Sequence, residues 1–169
     1  MRRIFLFLSA ALLLLVPNAG FADGKAGLWS VTTTYQFGMP LVPPALVALS
    51  RAQNLKTPVT GTPFVHHICM TIYEADGRQP PHLNSYDLDC VGRVVRQRGP
   101  RMLMENICHG PLEGVGHAQI VWQGDRHFEG SYDFKGKFRG DSAWIKSSFS
   151  ADWQDDNCRG VRPFIPPNN

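Results

Sequence analysis

The 169-residue chain has no CxxC pair, no G-x-S-x-G elbow, no clustered basic stripe and no apolar run long enough to span a bilayer. Each absence removes a class of function. Without CxxC, thioredoxin-type redox chemistry and the common zinc-binding spacings have no footing. Without the elbow there is no signal for an α/β-hydrolase nucleophile. A nucleic-acid partner would want Lys and Arg gathered on one face, and none is expected here. The longest apolar stretch, Ile4 to Val16, has 13 residues, against roughly 20 for a spanning helix. No membrane span is expected.

That apolar stretch follows Arg2 and Arg3 and ends at Pro17, with small Gly20 and Ala22 framing a cleavage point. This is the pattern of a cleaved signal peptide over residues 1–22, so the chain is expected to be exported to the periplasm or secreted. Arg2, Arg3, Phe5 and Leu6 also resemble a twin-arginine signal. The arginines sit against the initiator Met and the run is very apolar, which favours general export. No cysteine near the cleavage point could accept a lipid anchor. Cleavage leaves 147 residues and lowers the net charge from +3 to +1, the size of one domain. We assign residues 23–161 to a single β domain and residues 162–169, rich in proline, to a loose tail.

Gly27 to Phe37 alternates strictly, with Trp29, Val31, Thr33, Tyr35 and Phe37 on one side and Ser30, Thr32, Thr34 and Gln36 on the other. Residues 38–63 then hold five prolines, which break any ladder. Within them Ala45 to Leu55 has the spacing of a short helix, and the whole segment reads as a flap or connector. Strand character returns from Phe64 to Ile72, followed by a polar loop over Glu74 to Ser85.

A hairpin centred on Gly99 sets Val91 opposite Ile107, Arg93 opposite Glu105 and Val95 opposite Leu103. On its other face Cys90 meets Cys108 and Val94 meets Met104. Four cysteines in an exported chain imply two disulfides. The register pairs Cys90 with Cys108 and leaves Cys69 for Cys158. Three more alternating strands are expected, over His117–Gln123, His127–Phe138 and Ala143–Trp153. The fold expected is all-β: an antiparallel meander curled into a small barrel or folded into a sandwich, held by two disulfides, with closure of the sheet left open by the sequence.

Several short motifs resemble the bacterial exported family catalogued as domain of unknown function 3617. They are Gly27-Leu28-Trp29-Ser30-Val31-Thr32-Thr33, Met39-Pro40 with Pro43-Pro44, Cys69-Met70-Thr71, the Cys90 and Cys108 pair, Phe128-Glu129-Gly130-Ser131-Tyr132, and a final Cys158 after a strand. The chain departs from the family at Ile72, where a proline is common, and across Trp153 to Asn157. The resemblance implies a periplasmic, disulfide-bonded β protein and carries no established activity.

Candidate chemistry is sparse. The histidines are His66, His67, His82, His109, His117 and His127. None forms a spaced pair on one face, and the neighbours His66 and His67 point to opposite faces of a strand, so no metal or cofactor is expected. A hairpin could bring His117 and His127 together beside Asp125. Asp87, Asp89, Asp155 and Asp156 lie beside turns, where carboxylates stay solvated and lack the raised pKa of a general acid. Ser147, Ser148 and Ser150 have no evident base.

The aromatic side chains are more suggestive. Trp29, Trp122 and Tyr132 lie on apolar strand faces, while Trp144 lies on a polar one, and these four are the candidate ligand or partner contacts. The expected function is non-enzymatic binding of a small apolar molecule or other envelope-derived ligand, with the 38–63 segment gating access. The alternatives are a protein-interaction module, such as an inhibitor or envelope assembly factor, and an envelope hydrolase. Oligomeric state is not legible in the sequence.

Overall fold

The computed structural model describes residues 24–38, 60–83 and 89–163. The expected signal segment 1–22, the expected helix 45–55 with residues 39–59 of the expected flap, Asp87 and the tail beyond Pro163 lie outside the described residues. Seven antiparallel strands and one helical turn make up the rest: β1 (Gly27–Gly38), β2 (Pro63–Met70), α1 (Ile72–Ala75), β3 (Cys90–Arg98), β4 (Arg101–Cys108), β5 (Leu112–Trp122), β6 (His127–Phe138) and β7 (Asp141–Asp155). They form one sheet in the order β2-β1-β7-β6-β5-β4-β3. Strands β3 to β7 are a meander. The first strand lies against the last, with Val31 opposite Ala151 and Thr33 opposite Phe149. Among the described residues no helix is long and apolar enough to cross a membrane.

The sheet is strongly curled. Trp29 on β1 and Trp122 on β5 are three strands apart, about 14 Å in a flat sheet, yet their rings meet edge to face at 5.7 Å. Phe128 packs on both, at 5.1 and 4.8 Å. Glycines on the inner face make this approach feasible: the ring of Tyr132 lies over Gly116 and that of Phe149 over Gly130, where any Cβ would collide with them. Around this centre Val31, Ile68, Met70, Met102, Ile120 and Ala151 complete the main core.

The all-β antiparallel meander with two disulfides is the fold expected; the closure that the sequence left open does not occur, and the curled sheet keeps β2 and β3 as its two edges. These strands are consecutive in the chain, and residues 71–83 of the segment joining them fill the gap between them. Ala75 and Leu83 join the core, Leu83 O accepts from His66 Nε2 on β2 at 2.9 Å, and Pro80 and Gly77 lie beside Gly92 and Gln97 of β3. Thr71 caps α1 in a capping box with Glu74. The buried Glu74 carboxylate accepts from Thr71 N at 2.7 Å, Thr71 Oγ1 at 2.8 Å and His82 N at 2.9 Å, which fixes the segment's path.

Both disulfides are those expected from the hairpin register, Cys90–Cys108 and Cys69–Cys158. The hairpin itself differs in one respect. Its loop is the two residues Gly99 and Pro100, with Gly99 at φ 53°, so Arg98 pairs with Arg101 and Leu103 with Arg96 rather than with Val95. A β-bulge between Val94 and Arg96 absorbs the extra residue, and from Val94 to Cys90 the pairing is as expected. A turn centred on Gly99 would have opposed Arg98 to Pro100, which has no N–H to give.

Candidate functional site

The four aromatic candidates do not converge. Trp29 and Trp122 are core residues, 0% and 3% exposed, and offer no surface to a ligand. Trp29 Nε1 donates to Lys25 O at 2.9 Å, tying the chain entering β1 to the core. Tyr132 is half-buried on the inner face, and burial raises its phenol pKa. Trp144 is 41% exposed on the outer face and lies across Gly38.

His117 and His127 stay apart. His117 is opposite Asp133, six residues along β6 from His127, a separation of about 20 Å. Asp125 pairs with Lys25 at 3.7 Å. His127 places Nδ1 2.7 Å from Asp152 and Nε2 3.4 Å from Glu129. The hydrogen bond to Asp152, seconded by Glu129, raises the imidazole pKa above its ordinary value. Both nitrogens thus face carboxylates and the ring favours its charged form, whereas a general base needs a free, neutral nitrogen. Asp155 is held by Asn157 N and Arg159 in a turn and its pKa is lowered, the reverse of what a general acid requires. Ser147 belongs to the inner face while Ser148 and Ser150 belong to the outer. Among the described residues no group of three His, Cys, Asp or Glu side chains is placed to hold a metal ion.

A different feature emerges on the outer face. The register aligns polar side chains, most of them short, in two rows across the strands: Thr32, Ser150 and Glu129 in one, and Thr34, Ser148, Ser131 and Gln119 in the other. Longer side chains flank both rows. On one side stands the His127–Asp152 pair, and on the other Lys146 and Asp133, 3.9 Å apart. Short residues between ion-paired long ones leave a trough of about 580 Å³, completed by Val121 and Gln123. Most of its polar lining is hydroxyl and amide groups, which both donate and accept, and the Glu129 carboxylate, Val121 and Phe149 also border it.

No protein-family model matches the chain, and no curated protein or solved structure matches it. The trough therefore has to be read from its own chemistry. Its serines and threonines are present in the sequence as the polar faces of three strands, but alternation gives the face of a residue and not its cross-strand neighbour. Only the pairing of β1 with β7 puts Thr32 and Thr34 beside Ser150 and Ser148.

Trp144 belongs to a separate row on the same face. Lys135, Val115, Ile107 and Val91 follow it across the sheet, and all four apolar members of the row are exposed.

Proposed function

We propose that the protein is a non-enzymatic binding protein of the cell envelope whose outer-face trough takes a hydroxyl-rich ligand, a segment of glycan. One observation carries this reading: a floor rich in hydroxyl and amide groups whose charges, the Glu129 carboxylate with His127 included, are already engaged with one another. Such a floor matches a ligand that is itself both donor and acceptor at many points. The two indoles that would have served an apolar molecule, Trp29 and Trp122, are in the core. The two disulfides and the resemblance to an exported β family support placing the chain outside the cytosol.

The test is a titration of the isotope-labelled protein with chitotetraose, followed by NMR. Shift changes should concentrate on Thr32, Thr34, Ser131, Ser148 and Gln119, and S148K, which fills the trough, should abolish them. Absence of changes in those rows at millimolar ligand would refute the reading.

The protein-interaction alternative keeps one observation of its own, the exposed row of Trp144, Val115, Ile107 and Val91. Exposed apolar area gathered in one strip marks contact surfaces. W144A and I107S should leave chitotetraose binding unchanged. If they instead dissolve a stoichiometric complex with an envelope protein, the interaction reading takes precedence.

A further inference from the structure

The trough does not end at β5. Val121 is opposite Arg101, which is opposite Arg98, and Gln119 is opposite Leu103, which is opposite Arg96. Both rows of the floor thus run into three exposed arginines, about 10 to 14 Å along the sheet from β6.

The bulge is what places them there. Arg93 points outward, opposite Glu105. Strict alternation from Arg93 would send Arg96 and Arg98 to the inner face. The extra residue at Val95 reverses the parity, so Arg96 and Arg98 share the outer face with Arg101 and Gln97 turns inward beside Gly77.

Charge pairing separates these three from their neighbour. Arg93 is bound to Glu105, with Nε 2.8 Å from Oε1. Among the described residues no carboxylate lies within ion-pair distance of Arg96, Arg98 or Arg101. Arg98 and Arg101 also face each other directly, a like-charge pairing that disfavours the hairpin unless an anion lies between them.

We propose that Arg96, Arg98 and Arg101 form the anion-binding end of the trough and that its ligand is an acidic oligosaccharide. Neutral sugar hydroxyls lie on the Ser and Thr floor, and an acidic group is held at the arginines. Guanidinium groups bind such oxygens in bidentate fashion, which fixes orientation as well as adding affinity. This inference rests on the glycan reading of the trough and adds the charge and the direction of the ligand.

The experiment compares three probes by calorimetry at low salt: tetragalacturonate, chitotetraose and the oligonucleotide dT4. Tetragalacturonate should bind at least tenfold tighter than chitotetraose and weaken steeply as salt is added. The triple variant R96Q/R98Q/R101Q, with its fold checked by circular dichroism, should lose that advantage and keep its chitotetraose affinity. Equal binding of the acidic and neutral probes would overturn the anion site and leave the glycan reading standing. Binding of neither saccharide would overturn both. Binding of dT4 as tight as that of tetragalacturonate would overturn the saccharide class, because charge alone would then account for the affinity. An acidic advantage that survives the triple variant would overturn the assignment to these arginines.

Discussion

His127 on β6 and Asp152 on β7 are direct register partners, and the imidazole Nδ1 lies 2.7 Å from the Asp152 carboxylate. The pair walls one side of the trough, and its chemistry is opposite to that of His66. Leu83 O can only accept, so His66 Nε2 carries the proton. His66 Nδ1 is then buried without a partner, and burial lowers the pKa of this ring.

The two rings should therefore titrate on opposite sides of the ordinary value of about 6.5, His127 above it and His66 below, as read from imidazole NMR shifts. The signs for stability follow by linkage. The His127 contribution is fully present below about pH 6.5 and is lost as pH rises through its raised folded pKa. For His66 the unfolded state takes up the proton first, so stability falls as pH drops below about 6.5. H127Q should cost under about 1 kcal/mol at pH 6, as fits a surface pair, and nothing near pH 9. A His127 titration below that of His66 would contradict the geometry.

Glu74 is the anchor of the segment that fills the open side of the sheet. Its buried carboxylate accepts from two backbone N–H groups and one hydroxyl. E74A would leave those donors without partners, at about 1–3 kcal/mol for each one that stays buried. A loss of about 2–4 kcal/mol is expected in urea unfolding. Hydrogen exchange should show faster exchange over residues 71–83 than over β5 and β6. Uniform acceleration would mean that the segment is part of the core and not a separable filling.

Much of the fold was open to sequence reasoning because its strands are half-buried and alternate. β6 lies where the pattern of His127 to Phe138 puts it, and the hairpin register holds from Cys90 to Val94 because cross-strand pairs fix it. What alternation cannot specify is neighbour order. The Ser and Thr face of β1 fits beside many strands, so its place between β2 and β7 depends on the curl that brings Trp29 to Trp122. The trough depends on that order and was correspondingly hidden. α1 was within reach, since Thr71 followed three residues later by Glu74 is a capping-box signature. The bulge needed one further step, that Pro100 cannot stand opposite Arg98 as a donor.

Gly130 should tolerate no side chain. A Cβ there would lie 2.3 Å from Gln119 O and 2.4 Å from the Phe149 ring. The first is sheet backbone and the second a packed core ring, so neither can withdraw. G130A is expected to cost toward the upper end of about 1–3 kcal/mol, the usual range for overpacking. S131A, one residue on and facing outward, should stay within about 0.5 kcal/mol. Equal effects would show that the inner face is looser than the ring contacts imply.

The two disulfides should differ in what they contribute. Cys69 and Cys158 are 89 residues apart, and Cys90 and Cys108 are 18 apart. Restricting the unfolded chain predicts about 4–5 kcal/mol for the longer loop and about 3 for the shorter. C69A/C158A should therefore lower stability by about 1 kcal/mol more than C90A/C108A, measured as the difference in urea midpoints at equal slope. Packing works against this order, because Cys108 is buried in a small cluster with Leu112 and Phe134, and its loss also removes core contact. If C90A/C108A proves the more damaging pair, that cluster outweighs chain entropy, and the edge strand β3 depends on its crosslink for its place in the sheet. Because β3 carries Arg96 and Arg98, affinity for tetragalacturonate should then fall in C90A/C108A and stay unchanged in C69A/C158A.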